Sequence, residues 1–266
     1  MVTEKDIDIF KDRDEQIKAL INSTAQIIGK EEFIINDGVS FPEIYLNTSP
    51  KIMWILKEPY ELHGDYSWTV GRIYKQDPKT KGILKIMHMK RIATINYCIM
   101  HNIEEYKDTI KIEDDERVDA IQSMAIININ KIAAAPRSPE DLSPQYKIWK
   151  DVLNLQLSLY NPDIIICGNT LQYFSDDIKY NNGIKNELVG MNGHHYFCFE
   201  NKIFINAFHP SFDYGKCDDN SYINEILNAI NVWENYKKTA NKSQMSQDCL
   251  RFTPFEGSAS AKPQSG

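Results

Sequence analysis

Short, almost entirely apolar segments recur along this chain, and they limit how it can fold more than any other feature. Three of them are residues 51–56, 125–130 and 163–167, with the sequences KIMWIL, AIININ and DIIIC. Such runs are typical of strands that are covered on both faces. Segments with helical spacing of apolar residues lie between and after them, so strand and helix alternate. The alternation predicts an α/β fold, a three-layer α/β/α sandwich with a central, mostly parallel sheet.

The order of the remaining segments predicts one domain over residues 1–238. A leading helix within residues 1–30 ends near a glycine, and a closing helix covers about residues 220–238. Before the closing helix, residues 187–208 have the pattern of a hairpin whose second strand runs into a His-Pro-Ser tripeptide. Residues 239–266 are polar and low in complexity, so we predict a disordered tail there.

Composition excludes several classes of protein. With 266 residues, of which 42% are hydrophobic, the chain can bury a core without disulfide or metal staples. The five cysteines include no Cys-x-x-Cys pair, which argues against a zinc or iron–sulfur centre and favours reduced, mostly buried thiols. No apolar run approaches the ~20 residues of a membrane span, and the first residues are charged throughout. We therefore expect a cytoplasmic protein that binds no membrane.

Charge is segregated along the chain. The formal net charge of −7 argues against a protein that coats nucleic acid through bulk attraction. A local basic strip exists nevertheless, because residues 72–91 contain seven lysines and arginines against one acid. A solvated helix face is sufficient to explain such a run, so the strip alone assigns no partner.

Polar side chains suited to chemistry follow or interrupt the predicted strands. They are Glu58 and Tyr60 after the first strand, Asn128 and Asn130 inside the second, and His209 and Ser211 after the last. In an open α/β sheet, the carboxyl ends of the strands line one crevice. A carboxylate, an amide and an imidazole gathered there can position water, read the hydrogen-bonding edge of a ligand and stabilise an anion.

These segments resemble the motifs of the uracil-DNA glycosylase superfamily. Residues 55–61, ILKEPYE, resemble the water-activating Gly-Gln-Asp-Pro-Tyr-His motif, and residues 209–211 resemble the closing His-Pro-Ser motif. Between them, residues 125–128 resemble the strand whose asparagine reads uracil. Residues 149–168 resemble the helix, strand and glycine of the same fold. Motif order and spacing agree over about residues 51–214.

The resemblance implies a monomeric, monofunctional DNA glycosylase that needs no metal and no cofactor. Such an enzyme flips a uracil-like base out of single- or double-stranded DNA and hydrolyses its N-glycosidic bond through an oxocarbenium-like sugar. The resemblance gives Glu58 the role of positioning water and His209 that of donating to a base carbonyl as negative charge develops. It gives Asn128 the role of reading the base edge, for which Asn130 competes.

The resemblance also assigns the walls of the pocket and the contacts with DNA. Tyr60 would close the pocket beside C5 of the base, and Trp68 would be the stacking platform. Ser211 would bind a DNA phosphate. Pro210 and Phe212 would lie against the DNA itself.

The chain departs from the family motifs in ways that leave alternatives open. Glu58 stands where the family has the shorter Asp, and Glu61 stands where it has His. After His-Pro-Ser, residues 212–214 replace the usual Pro-Leu-Ser, and Asp218 and Asp219 would repel a phosphate backbone. One alternative is therefore a catalytically inactive module on the same fold that binds nucleic acid or a protein. Another is a hydrolase of modified or free nucleosides.

Overall fold

A mixed β-sheet with helices on both faces forms the framework of the protein. The computed structural model describes residues 2–59, 84, 87–133, 140–174, 187–189, 195–198, 201–211 and 219–240. Within these residues, the strands of the sheet are β1 (Gly38–Val39), β2 (Ile52–Leu56), β3 (Met124–Asn128), β4 (Ile164–Gly168), β5 (Glu187–Val189), β6 (His195–Cys198) and β7 (Ile203–Ala207). Their order across the sheet is β1-β3-β2-β4-β7-β6-β5.

Strand direction differs between the centre of the sheet and its edges. The four central strands, β3, β2, β4 and β7, are parallel to one another. The edge pairs β1–β3, β6–β7 and β5–β6 are antiparallel. The short connections between β5, β6 and β7 allow no crossover, so these strands can pair only antiparallel. The sheet is therefore mixed: among the described strands, parallel pairing is confined to the four central ones, whereas we predicted a mostly parallel sheet.

Helices pack on the two faces of this sheet. They are α1 (Glu4–Ile27), α2 (Pro42–Asn47), α3 (Met87–Met100), α4 (Asp114–Gln122), α5 (Ser143–Tyr160) and α6 (Asp219–Ala240). A capping box between Thr3 and Asp6 begins α1, and Asn161 in the left-handed conformation ends α5. None of the helices in the described part of the chain has the length and apolar character that crossing a membrane requires.

Alternation along the strands divides the core into two halves. In β2, Trp54 and Leu56 face the half that α3, α4 and α6 cover, whereas Met53 and Ile55 face the half that α1, α2 and α5 cover. Every residue of β2 is buried, as a strand covered on both faces requires. The α/β class predicted from the sequence is thus confirmed, with helices on both sides of the sheet.

The cysteines and the terminal segment can be compared with their predictions only in part. Cys98, Cys167 and Cys198 are buried free thiols, as expected. Burial raises the pKa of Cys98 to about 11 and that of Cys198 to about 12, so these thiols stay protonated and unreactive near neutral pH. The other two cysteines lie outside the described residues. The predicted tail does too, apart from residues 239–240, which extend α6.

Candidate functional site

Three parallel strands end side by side at the edge of the sheet where the polar motifs lie. Glu58 follows β2, His209 follows β7, and Gly168 at the end of β4 lies between these two segments. A β-carbon added to Gly168 would lie 3.0 Å from Leu56 Cδ2 and 3.3 Å from the Pro210 ring. A side chain at position 168 would therefore force Leu56 or the His-Pro-Ser turn to shift by a few tenths of an ångström. The chain segments carrying the acid and the imidazole are neighbours at this edge.

The two carboxylate oxygens of Glu58 differ in their hydrogen bonds within the described residues. Its side chain lies beside Asn130 because the ladder between β2 and β3 continues past both strands, with Ile129 and Asn130 donating to the carbonyls of Leu56 and Lys57. The Asn130 amide nitrogen donates to Glu58 Oε2 at 3.3 Å. Oε1 is buried and has no hydrogen-bond partner in the described part of the chain. A buried carboxylate oxygen without a partner is costly for folding alone, and it is well suited to hold a polar atom of a ligand.

Asn128 belongs to a different polar group, the Asp37 cluster, which consists of Asp37, Asn128, Lys131 and Gln156. The backbone N–H and the side-chain nitrogen of Asn128 donate to Asp37 Oδ2 at 2.6 and 3.2 Å. Lys131 Nζ donates to both Asp37 oxygens and to Gln156 Oε1. Burial lowers the pKa of Lys131, and the adjacent carboxylate of Asp37 opposes that shift. Of the two asparagines considered from the sequence, Asn130 is the one that contacts Glu58.

The hydrogen bonds of His209 define which ring nitrogen carries the proton. The Ser211 backbone N–H donates to His209 Nδ1 at 3.2 Å, and the Ser211 hydroxyl lies 2.6 Å from the same nitrogen. A backbone N–H can only donate, so Nδ1 is an acceptor and the neutral ring carries its proton on Nε2. Burial, with His88 and Lys57 nearby, lowers the pKa of His209 to about 4. At neutral pH the ring is an uncharged donor through Nε2.

The backbone of the His-Pro-Ser turn is held from two helices. Arg91 on α3 donates to the Pro210 carbonyl at 2.8 Å and also pairs with Asp219 at the start of α6. Tyr222 on α6 donates to the Phe208 carbonyl at 2.9 Å. The pairing with Arg91 offsets the negative charge of Asp219, one of the acids that we expected to repel phosphate.

Two of the five remaining predicted site residues lie in the described part of the chain. Pro210 is buried in the turn, and Ser211 is exposed with its hydroxyl against His209. Tyr60, Trp68 and Phe212 lie outside the described residues. Within those residues, no group of three or more His, Cys, Asp and Glu side chains is arranged to hold a metal ion.

The sequence alone did not reveal the residues that support this site. Arg91 belongs to the basic strip, and the sequence pattern does not distinguish an arginine that contacts Pro210 from one that is solvated. Trp149 has helical apolar spacing, and its indole N–H donates to Asn130 Oδ1 at 3.1 Å. Asp37 lies 91 residues before Asn128, so no local sequence pattern links these two residues.

Comparison with known proteins adds no further assignment. No protein-family model matches the chain, and no curated protein matches it. Function is therefore argued from the side chains at the carboxyl edge of the sheet.

Proposed function

We propose that the protein is a DNA glycosylase with a uracil-DNA glycosylase-like, three-layer fold, which flips a uracil-like base and hydrolyses its N-glycosidic bond without a metal. One observation carries the proposal: a buried oxygen of Glu58, which has no hydrogen-bond partner among the described residues, lies at the same edge of the sheet as a neutral His209 whose Nε2 is a donor. Glycoside hydrolysis needs an acceptor for water and a donor for the departing group.

In the proposed reaction, each of the two side chains acts on one of the two fragments, sugar and base, that cleavage of the glycosidic bond separates. The Glu58 carboxylate orients the attacking water and stabilises the cationic sugar. His209 donates through Nε2 to a carbonyl oxygen of the departing base, where negative charge develops. A fixed donor at such an oxygen contributes about 3 kcal/mol in a site that excludes water. His209 is already neutral at physiological pH, so it needs no proton uptake before it acts.

An amide recognises the base in this proposal. Asn128 has two amide protons and a carbonyl oxygen, and its bond to Asp37 uses one of the protons while it orients the whole group. The other proton and the oxygen match the donor and acceptor pattern of a uracil edge. Tyr60, Trp68, Ser211 and Phe212 keep the roles that the family resemblance implies, as walls of the pocket and contacts with DNA, whereas the buried Pro210 shapes the turn between His209 and Ser211.

The direct test is incubation with end-labelled oligonucleotides, single- and double-stranded, that contain uracil, hypoxanthine or 5-hydroxymethyluracil, followed by alkaline cleavage. We expect the wild-type protein to form abasic sites. Glu58→Gln and His209→Gln should each lower the rate about 10²- to 10³-fold. Glu104→Gln and His101→Gln, at exposed positions near the opposite ends of the strands, are the matched controls and should leave the rate unchanged.

Two outcomes would replace this proposal. Tight binding of the oligonucleotides without abasic sites would point to the inactive binding module. Release of base from free nucleosides alone would point to a nucleoside hydrolase.

A further inference from the structure

A chain of hydrogen bonds leads from the interior of the protein to Glu58. The indole N–H of Trp149, on α5, donates to Asn130 Oδ1 at 3.1 Å. The Asn130 amide nitrogen then donates to Glu58 Oε2 at 3.3 Å. Trp149 is fully buried, so the chain of bonds starts from a rigid part of the core.

The direction of these bonds is fixed by donors that cannot reverse. An indole N–H can only donate, and Asn130 Oδ1 also accepts the backbone N–H of Ile132 at 3.2 Å. The oxygen end of the amide is thereby assigned, and the NH₂ end must face Glu58. Oε2 is the carboxylate oxygen that Asn130 holds, and Oε1, which has no partner among the described residues, is left for a substrate or a water molecule.

The hydrogen bond from Asn130 also offsets the greater length of the Glu58 side chain. Glu58 is one methylene longer than the Asp of the motif it resembles, and the extra torsion would let the carboxylate occupy more orientations. A displacement of about 1 Å at a reacting group can cost about 10²-fold in rate. A bond from a fixed amide to one oxygen restricts that motion.

We infer that Asn130 and Trp149 are positioning residues, which select the orientation of the Glu58 carboxylate and the oxygen that reacts. The relay, which is the chain of hydrogen bonds from Trp149 through Asn130 to Glu58, is defined by geometry alone. Its consequence for the rate rests on the proposed function.

The relay is tested without any activity measurement by ¹H–¹⁵N spectra of the indole groups. Trp149→Phe identifies the Trp149 peak, and Asn130→Ala should shift that peak strongly. The matched control is a second buried pair, in which Trp54 donates to Asn96 Oδ1 at 3.0 Å. Asn96→Ala should shift the Trp54 peak and leave that of Trp149 in place. If Asn130→Ala leaves the Trp149 peak at its wild-type position, the inference is overturned, whatever reaction the protein catalyses.

The consequence for the rate is tested by separating chemistry from binding. Trp149→Phe keeps an aromatic ring and loses the N–H, and Asn130→Asp keeps an acceptor for Trp149 and loses the donor to Glu58. We expect both to lower the single-turnover rate about 10-fold or more, with oligonucleotide Kd changed less than about twofold. Trp54→Phe should leave the rate unchanged. Equal rates for Trp149→Phe and wild type would contradict positioning, whereas an inactive wild type with the expected peak shifts would contradict only the proposed function.

Discussion

The end of β3 contributes to two polar groups, through Asn128 and Lys131 to the Asp37 cluster and through Asn130 to Glu58, and the two groups differ in how completely they are hydrogen-bonded. In the Asp37 cluster, the three protons of the Lys131 ammonium meet three acceptors. At Glu58, one carboxylate oxygen is bonded to Asn130, and the other is buried without a partner in the described residues. A closed group of this kind fixes the fold, whereas an open one has hydrogen-bonding capacity left for a ligand.

Similar substitutions should therefore have different consequences in the two groups. Removing one member of the closed group leaves a buried charge without its partner. Removing the charge of the open group takes away a carboxylate charge that only one described residue, Asn130, compensates with a hydrogen bond. Stability should therefore depend on the Asp37–Lys131 ion pair of the first group, and activity on Glu58 in the second, while Asn128 in the first group keeps its proposed role in reading the base.

The largest expected effect is on stability at Lys131. We expect Lys131→Met to lower the free energy of unfolding by about 3–5 kcal/mol, because it leaves the Asp37 carboxylate buried and unpaired. Urea unfolding measures this change. Adding Asp37→Asn to Lys131→Met removes the isolated charge and should restore part of the loss. A single variant as stable as wild type would mean that the cluster is not a closed ion pair.

The next effect is the pH dependence that His209 contributes. Its folded-state pKa of about 4 lies below the ordinary value of 6.5, so between these values the unfolded chain binds more protons. The contribution to stability is complete above pH 6.5 and is lost as the pH falls towards 4. Urea unfolding at about pH 7 and about pH 4.5 should show wild type losing about 2–3 kcal/mol more than His209→Gln. Equal losses in the two proteins would argue against a buried neutral ring.

A smaller effect is expected at Gly168, where the two motifs approach each other. The β-carbon of Gly168→Ala would lie 3.0 Å from Leu56 and 3.3 Å from Pro210, so the turn must move by a few tenths of an ångström. We expect a loss of about 1–2 kcal/mol in unfolding free energy and a several-fold lower rate of abasic-site formation. Unchanged rate and stability would show that the turn is not packed against β4.

Much of the fold could be predicted because it is encoded locally. Strands β2, β3 and β4 are almost entirely apolar, and the spacing within α1, α5 and α6 is helical. The two residues of β1 are too few for a pattern to show, and the segment 187–208, predicted as a single hairpin, contains the three strands β5, β6 and β7. The direction of β1 also depends on its pairing with β3, which lies far along the chain.

Less of the site could be predicted, for a physical reason. Glu58 and His209 stand out because charged or polar side chains directly follow apolar strands. Asn128 and Asn130 have the same local pattern, and only contacts with Asp37 and Trp149 separate their roles. Such long-range contacts leave no local signal in the sequence.

The most direct test of the open group is to measure the rate of abasic-site formation and the free energy of unfolding on Glu58→Gln. We expect the rate on a uracil-containing oligonucleotide to fall about 100-fold or more, with an unfolding free energy within about 0.5 kcal/mol of wild type or above it. A variant that keeps the wild-type rate, or that loses several kcal/mol of stability, would contradict the assignment of chemistry to Glu58.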